Sequence, residues 1–507
     1  MASQRRRGAM LGYANIVVKN VVNLLYTPML LSFVGRGDYG VFQTANSFVF
    51  SLTLLSFGFS GAYVRFYSKR NAEGDEDGIR VLNGMYLSLY LVICLLAIAI
   101  GQFGAANVGV VFSGSFTAGE VELAGTLMGI MTFNVATTLL STVFDANVIV
   151  HEEFTFQQTR QMFTTLVTPG IALLLLNAGM GAVGVAVAQL GVNLVLLALN
   201  ARFAIVRLGM RFDLRHPDVA LLRAVAAFSA WIFVNQVTDL AVLNLPNVVL
   251  GALCGAEVVA VFAVAVQVRT VFMSLSTTIS NVYIPLVNRE IASGASDQAM
   301  TLLMARVGRY QSLLYTWVLG GFAVAGRWFV EKWAGTGFVD AYPMILAMAS
   351  FLFVPLVQNV GIEIQRAKNL HRARSFAYLA TTSIGLVVTY VLAPYCGYWA
   401  AALGFCAHIM LGPMLFMNWY NHCVVGLNMF LFWKRVAPVA FVGGALAAAC
   451  VLGTTLYPVR DLATFVLWGV IYTTAYAIVN WLLTVSEAER SVVKGKILSL
   501  RSKADVS

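Results

Sequence analysis

The sequence predicts an all-α polytopic membrane protein of about fourteen transmembrane helices, and three observations carry that reading. Of its 507 residues 59% are apolar and only 11% are charged, a balance that no soluble class keeps over such a length. Fourteen apolar runs follow one another with short connections, each long enough to span the roughly 20 residues that a helix needs to cross a bilayer core. Basic residues gather in alternate connections. The runs cover 9–34, 41–66, 80–103, 121–149, 156–177, 182–206, 224–250, 257–285, 303–327, 341–364, 375–394, 398–420, 436–457 and 462–485.

Cytoplasmic connections keep the excess of Lys and Arg, so the alternation fixes an expected orientation. With the amino terminus inside, Arg36, Arg327, Lys332 and Arg460 fall outside, Lys19 and Arg269 fall within spans, and the rest of the 33 basic residues fall inside. An even number of spans with both termini cytoplasmic fits this pattern. The formal charge of +10 is then a topological signal, and no nucleic-acid partner is expected. The first run is too long for a cleaved signal and contains Lys19, so it stays as a helix. The six cysteines show no metal-ligand or disulfide spacing and read as packing residues; neither metal nor cofactor is expected.

Span 1, within GAMLGYANIVVKNVVNLLYTPMLLSFVG, carries Lys19 near its middle, with Asn15, Asn20 and Asn23 around it. A cation at that depth costs roughly 3 kcal/mol on insertion scales, so it is expected to face a polar cavity. The turn GRGDYG follows, with Arg36 and Asp38 read as a solvated pair. Span 2 ends in Arg65, Lys69 and Arg70 before the acidic loop NAEGDEDG. Spans 3 to 6 hold Asn134, Asp145, Asn193 and Pro169; Asp145 reads either as an interfacial carboxylate or as an ion-coupling group. The basic stretch VRLGMRFDLRHPDVALLR, with His216 and Pro217, then suits the anionic inner leaflet.

Spans 7 and 8 repeat spans 1 and 2. A shift of about 220 positions puts Gly35 on Gly255, Val41 on Val261, Phe42 on Phe262, Asn15 on Asn235 and Lys19 on Asp239. The expected organisation is therefore two pseudo-symmetric six-helix lobes, 1–210 and 211–425, an accessory helix pair over 426–486 and a basic cytoplasmic tail over 487–507. Arg269 lies twelve residues after Glu257, roughly 18 Å along span 8 and close to the bilayer centre. Either Asp239 neutralises a buried cation, or Lys19 and Arg269 await an anionic ligand; both readings stay open. Asn15, Asn23, Asn235 and Asn281 are candidate amides for such a ligand, and Asp239 shares with Asp145 the candidacy for ion coupling. Trp328 and Trp333 read as outer interfacial anchors, and spans 13 and 14 carry no buried charge.

On these residues, above all GYANIVVKNVVNLLYTPMLLSFVG with RGDYGVF and its echo CGAEVVAVF, the chain resembles the polysaccharide transporters of the multidrug/oligosaccharidyl-lipid/polysaccharide (MOP) exporter superfamily. The resemblance implies a monomeric flippase, not an enzyme, in the cell inner membrane. It would move a polyprenyl-pyrophosphate-linked glycan between leaflets by alternating access, with membrane lipids, a glycan polymerase and chain-length machinery as partners. In similar proteins spans 1, 2, 7 and 8 form a cationic central cavity, and the matching cations here are Lys19 and Arg269. The lipid II flippase branch places a lipid-tail groove at the last two spans. The alternative within the superfamily is a cation-coupled drug or metabolite antiporter. Such proteins tend to use an embedded carboxylate in the first half, and spans 1 to 3 have none.

Overall fold

The computed structural model describes residues 2–215, 218–485 and 490. Hydrocarbon offers the backbone no hydrogen-bond partner, so a chain crossing it must satisfy itself within helices or closed barrels. Every described element is a helix, and one stands at each expected span. Spans 1 to 7 are Ala2–Val34, Arg36–Glu73, Glu76–Ala106, Ala118–Val150, Phe154–Asn177, Gly181–Arg207, and the pair Val219–Leu243 and Leu245–Cys254. Spans 8 to 14 are Ala256–Ala292, Asp297–Ala334, Ala341–Ala367, Arg372–Cys396, Tyr398–Cys423, Met429–Leu456 and Leu462–Leu483. Among the described residues thirteen helices are long and apolar enough to cross a membrane. Span 5 is not among them, because FTFQQTRQ loads its first two turns with amides and Arg160. The expected tail helix, with His216 and Pro217 of the linker, lies outside the described residues apart from Arg490.

The chain forms two compact units: residues up to Val264 with Ser375–His408, and Ala265–Arg374 with the described residues from Ile409 onward. In the first unit the repeated turns meet. Gly35 (φ 79°, ψ 173°) and Gly255 (φ 91°, ψ 171°) share one left-handed conformation, which a side chain would strain. A Cβ on Gly40 would sit 1.8 Å from the carbonyl oxygen of Ala256, so the two turns are in backbone contact. Arg36, expected to pair with Asp38, reaches across instead: its Nε is 3.5 Å from Glu257 Oε2. Below the turns, Asn247 Nδ2 donates to Ser47 Oγ at 2.9 Å in a buried contact. Spans 4 and 5 are tied by Arg160 Nη2 and Asp145 Oδ1 at 2.7 Å.

Span 2 is broken where its counterpart is not. Ser51–Ser56 is a 3₁₀ turn, and Phe57 (φ 46°) and Gly58 (φ 69°) both adopt left-handed backbone before the helix resumes. Span 7 presses on that break: the Phe57 and Phe233 rings are 4.5 Å apart, and a Cβ on Gly58 would lie 2.5 Å from Ile232 Cγ2. Span 8 is one helix of 37 residues. The linker after span 6 is anchored to the start of span 3. Asn83 Nδ2 donates to the Arg211 carbonyl at 2.9 Å, and Asp213 N donates to that of Arg80 at 3.0 Å.

The second unit is built on span 9. Arg309 donates to the carbonyls of Arg435 and Thr484 at 2.8 and 2.6 Å, so one side chain ties the ends of spans 13 and 14. Tyr476 OH and Thr316 Oγ1 are 2.7 Å apart, and Tyr472 OH donates to the Thr316 carbonyl at 3.1 Å. Trp333, expected at the outer interface, is buried and stacks on Phe329 with ring centroids 5.6 Å apart. Asp461 caps span 14, and its bonds to Thr464 hold that carboxyl below its ordinary range.

Two sets of substitutions test these contacts. Gly40→Val should lower the stability of the detergent-solubilised protein by about 1–3 kcal/mol, read as a fall in its melting midpoint. Gly191→Ala, where a Cβ meets nothing within 4 Å, should leave it unchanged. Arg160→Ala should destabilise by about 2 kcal/mol by stranding a half-buried carboxylate, and adding Asp145→Asn should restore most of the loss. A double variant as unstable as Arg160→Ala alone would show that the ion pair is not what ties spans 4 and 5.

Candidate functional site

The candidate residues sit on spans 1, 4, 7 and 8, and their surroundings separate them. On span 1, Asn15, Lys19, Asn23 and Thr27 recur every fourth residue and drift slowly around one side of the helix. The stripe starts buried and ends buried. Asn15 is taken up by span 5, its Nδ2 donating to Gln161 Oε1 at 3.0 Å and Gln158 Oε1 at 3.4 Å. Thr27 Oγ1 donates to the carbonyl of Asn23 at 2.9 Å. Between them Lys19 and the Asn23 side chain are exposed. Among the described residues Lys19 enters no ion pair, so the partnership with Asp239 that the repeat allows is not formed.

Span 7 supplies Asn235 and Asp239. Asn235 Oδ1 accepts from Ser375 Oγ on span 11 at 2.9 Å, while Asp239, one turn on, is exposed. The helix then breaks at Asn244, because Pro246 has no N–H to give to the carbonyl of Val242.

Arg269 is held differently from Lys19. It is 1% exposed, with Nη1 3.8 Å from Met348 Sδ on span 10. The same face of span 8 continues as Phe272, Ser276 and Ser280. Gln311 on span 9 donates to Ser276 Oγ at 2.9 Å and to Ser280 Oγ at 2.6 Å. Arg269 is thus a buried cation on a packed helix face. Asn281, one residue past Ser280, is exposed. Asp145, the other candidate for ion coupling, is engaged by Arg160.

Three polar features have no counterpart in the sequence reading. Tyr63 OH donates to Asn83 Oδ1 at 2.7 Å and accepts from Asn147 Nδ2 at 2.9 Å, a buried network beside a cavity of about 350 Å³ that Arg80 and Arg211 help to line. On span 12, His408 is buried, with Nδ1 3.1 Å from Thr381 Oγ1 and 3.2 Å from Thr382 Oγ1. A titratable residue inside an apolar run is the signal that the sequence offers for it. In the loop after span 10, burial and then Arg374, Arg372 and Arg366 push the His371 imidazole below its ordinary range. Two apolar grooves complete the second unit. One of about 520 Å³ lies between spans 10, 12 and 13, and one of about 490 Å³, walled by Leu313, Trp317, Ala477 and Trp481, lies between spans 9 and 14.

Comparisons with known proteins agree with this architecture. The chain is similar to a lipid II flippase, MurJ, in an inward closed conformation, with TM-score 0.71 at 11% identity over 92% of this chain and 98% of that one. It is also similar to an inward-facing multidrug resistance MATE family transporter of the MOP superfamily, with TM-score 0.60 at 14% identity over 80% and 97%. At those identities the likeness shows the fold. The uncharacterized membrane protein EpsK of Bacillus subtilis (strain 168) is 22% identical over 295 residues, and the match covers only 56% of each chain. A family model described as polysaccharide biosynthesis protein matches residues 7–289, more than half of the sequence. The chain therefore belongs to the polysaccharide biosynthesis protein family and is a multi-pass membrane protein with the fold of the MOP-superfamily transporters.

Proposed function

We propose that the chain is a flippase that moves a polyprenyl-pyrophosphate-linked oligosaccharide from the cytoplasmic to the outer leaflet of the cell inner membrane, for cell-surface polysaccharide biosynthesis. The observation that carries the reading is Lys19, an exposed cation in the middle of an apolar span, in a chain of the polysaccharide biosynthesis family. A pyrophosphate cannot cross hydrocarbon unaccompanied, so its carrier must present positive charge and hydrogen-bonding groups away from lipid. Lys19 and the exposed Asn23, Asp239 and Asn281 are of that chemistry. Arg269 contributes charge from a buried position, and Asn15 and Asn235 hold neighbouring helices. The apolar groove between spans 9 and 14 is of the kind that a lipid tail fills. In this reading the protein acts by alternating access as a monomer, with membrane lipids around it, and hands its glycan to a polymerase and chain-length machinery. Neither catalytic chemistry nor a cofactor has a part.

The reading predicts the effect of removing each cation. In cells lacking their own copy, Lys19→Ala should cut surface glycan about 10- to 100-fold, the loss expected for one charge-assisted phosphate contact, and Arg269→Ala should cut it as well by removing a buried positive charge. Membrane levels of the protein should not change, and Lys19→Arg should retain part of the activity. Full export by both alanine variants would overturn the proposal.

A further inference from the structure

The cavity of about 350 Å³ in the first unit lies between the ends of spans 2, 3 and 4 and the linker after span 6. Its volume is at the lower end of the roughly 300–1,000 Å³ that small-molecule sites occupy. Unlike the two apolar grooves of the second unit, it has polar side chains on every wall: Tyr67 from span 2, Glu76, Arg80 and Asn83 from span 3, Asn147 from span 4 and Arg211 from the linker. Asn83 and Asn147 are each 1% exposed, whereas Glu76 and Arg211 are open to solvent. The cavity therefore has a buried end and an exposed one.

At the buried end the direction of every hydrogen bond is fixed by a backbone carbonyl, which can only accept. The Arg211 carbonyl takes Asn83 Nδ2 at 2.9 Å, so Asn83 turns Oδ1 to Tyr63 and receives its hydroxyl proton at 2.7 Å. With that proton given away, the Tyr63 oxygen accepts from Asn147 Nδ2 at 2.9 Å. The chain of bonds ends on Asn147 Oδ1, a buried acceptor that meets no donor among the described residues. A second chain starts on the Asn147 carbonyl, 2.8 Å from His151 Nδ1; in the neutral ring Nε2 then accepts from Tyr67 OH at 3.2 Å. The Tyr67 oxygen is left as a further acceptor on the wall. A buried acceptor without a donor is destabilising, and the donor that Asn147 lacks has to come from outside the chain.

The exposed end has the opposite property. Arg80 is engaged by Asp77 at 3.0 Å and by Glu76 at 3.7 Å, whereas the Arg211 guanidinium enters no ion pair among the described residues. Its carbonyl, not its side chain, holds the linker to span 3. A fitting ligand brings hydrogen-bond donors to the buried end and negative charge to the exposed one. We propose that the cavity is a binding site for a hydroxyl-rich compound carrying a phosphate group. Its hydroxyls donate to Asn147 Oδ1 and the Tyr67 oxygen, and its phosphate pairs with Arg211, the planar cation suited to such a group. A free sugar phosphate and the headgroup of phosphatidylglycerol share that chemistry. Either one clamps the linker that leads to span 7 onto spans 2 to 4. The site does not rest on the flippase reading.

The site is tested with the full-length protein in phosphatidylcholine nanodiscs, titrated with glucose 1-phosphate while amide hydrogen exchange is followed along the linker. Exchange over residues 208–213 should slow several-fold and saturably. Glucose and inorganic sulfate each offer half of the chemistry, and each should need at least about ten times the concentration. Arg211→Ala should weaken glucose 1-phosphate about 10- to 100-fold, the loss expected for one charge-assisted contact, without moving the melting midpoint. Asn147→Ala should weaken glucose 1-phosphate and leave sulfate, which has no donor to give, unaffected. In nanodiscs containing phosphatidylglycerol, slowed exchange without added sugar phosphate, abolished by Arg211→Ala, would identify the lipid headgroup as the source. Linker exchange that neither the sugar phosphate nor phosphatidylglycerol changes, or protection that both variants retain in full, would overturn the site and leave a cavity filled by water.

Discussion

A backbone inside hydrocarbon must find its hydrogen bonds within the protein, and the breaks in spans 2, 7 and 10 sit where neighbouring helices meet that constraint. The chain can interrupt a span only where neighbouring helices shield the freed groups. Span 2 gives up helical geometry at Phe57 and Gly58, and the residues covering that break, Ile232 and Phe233, come from span 7. Span 7 breaks in turn at Asn244, beside spans 11 and 12. Span 10 pauses at Gln358, whose amide donates to Asn418 on span 12, and Trp433 on span 13 donates to the same acceptor. Each interruption is met by a polar or close-packed neighbour within its own compact unit, and the candidate functional residues lie on the interrupted or polar spans.

Composition and periodicity made the architecture legible. An apolar helix leaves its length in the sequence, and all fourteen expected runs coincide with helices; thirteen of these are apolar enough to cross a membrane. The repeat was readable for a physical reason: Gly35 and Gly255 hold a backbone conformation that few other residues tolerate, so both copies of the turn keep the glycine. What one element does to another was not readable. Arg36 reaches Glu257 and not its near neighbour Asp38, and the backbone N–H of the linker's Asp213 donates to the Arg80 carbonyl on span 3. Neither preference is a property of local sequence.

The candidate site divides along the same line. That Lys19 and Arg269 are deep and cationic is a matter of position along a helix, and a count of residues finds them. Which way each faces depends on packing. Arg269 lies on the side of span 8 that meets spans 9 and 10, whereas Lys19 lies between two buried polar residues of its own stripe and stays open. The amides show how little a polar residue in a span says about ligands. Asn15 and Asn235 hold helices together, as do Gln311 and Asn247. The surroundings of His408 come from two threonines on another span and from glycines that let it approach them.

The paired turns carry a consequence for how the molecule is made. Gly40 and Arg36 lie against Ala256 and Glu257, about 220 residues further along. At roughly 5–20 residues per second, the ribosome needs on the order of 10–40 s to deliver the second turn after the first. Through that interval the first two helices rest in the bilayer with their mating surface uncovered and the left-handed break in span 2 unsupported by Ile232. The nascent chain therefore has a waiting period set by the separation of the two turns along the chain, during which an insertase, a chaperone or plain lipid must occupy the place that the later turn will take.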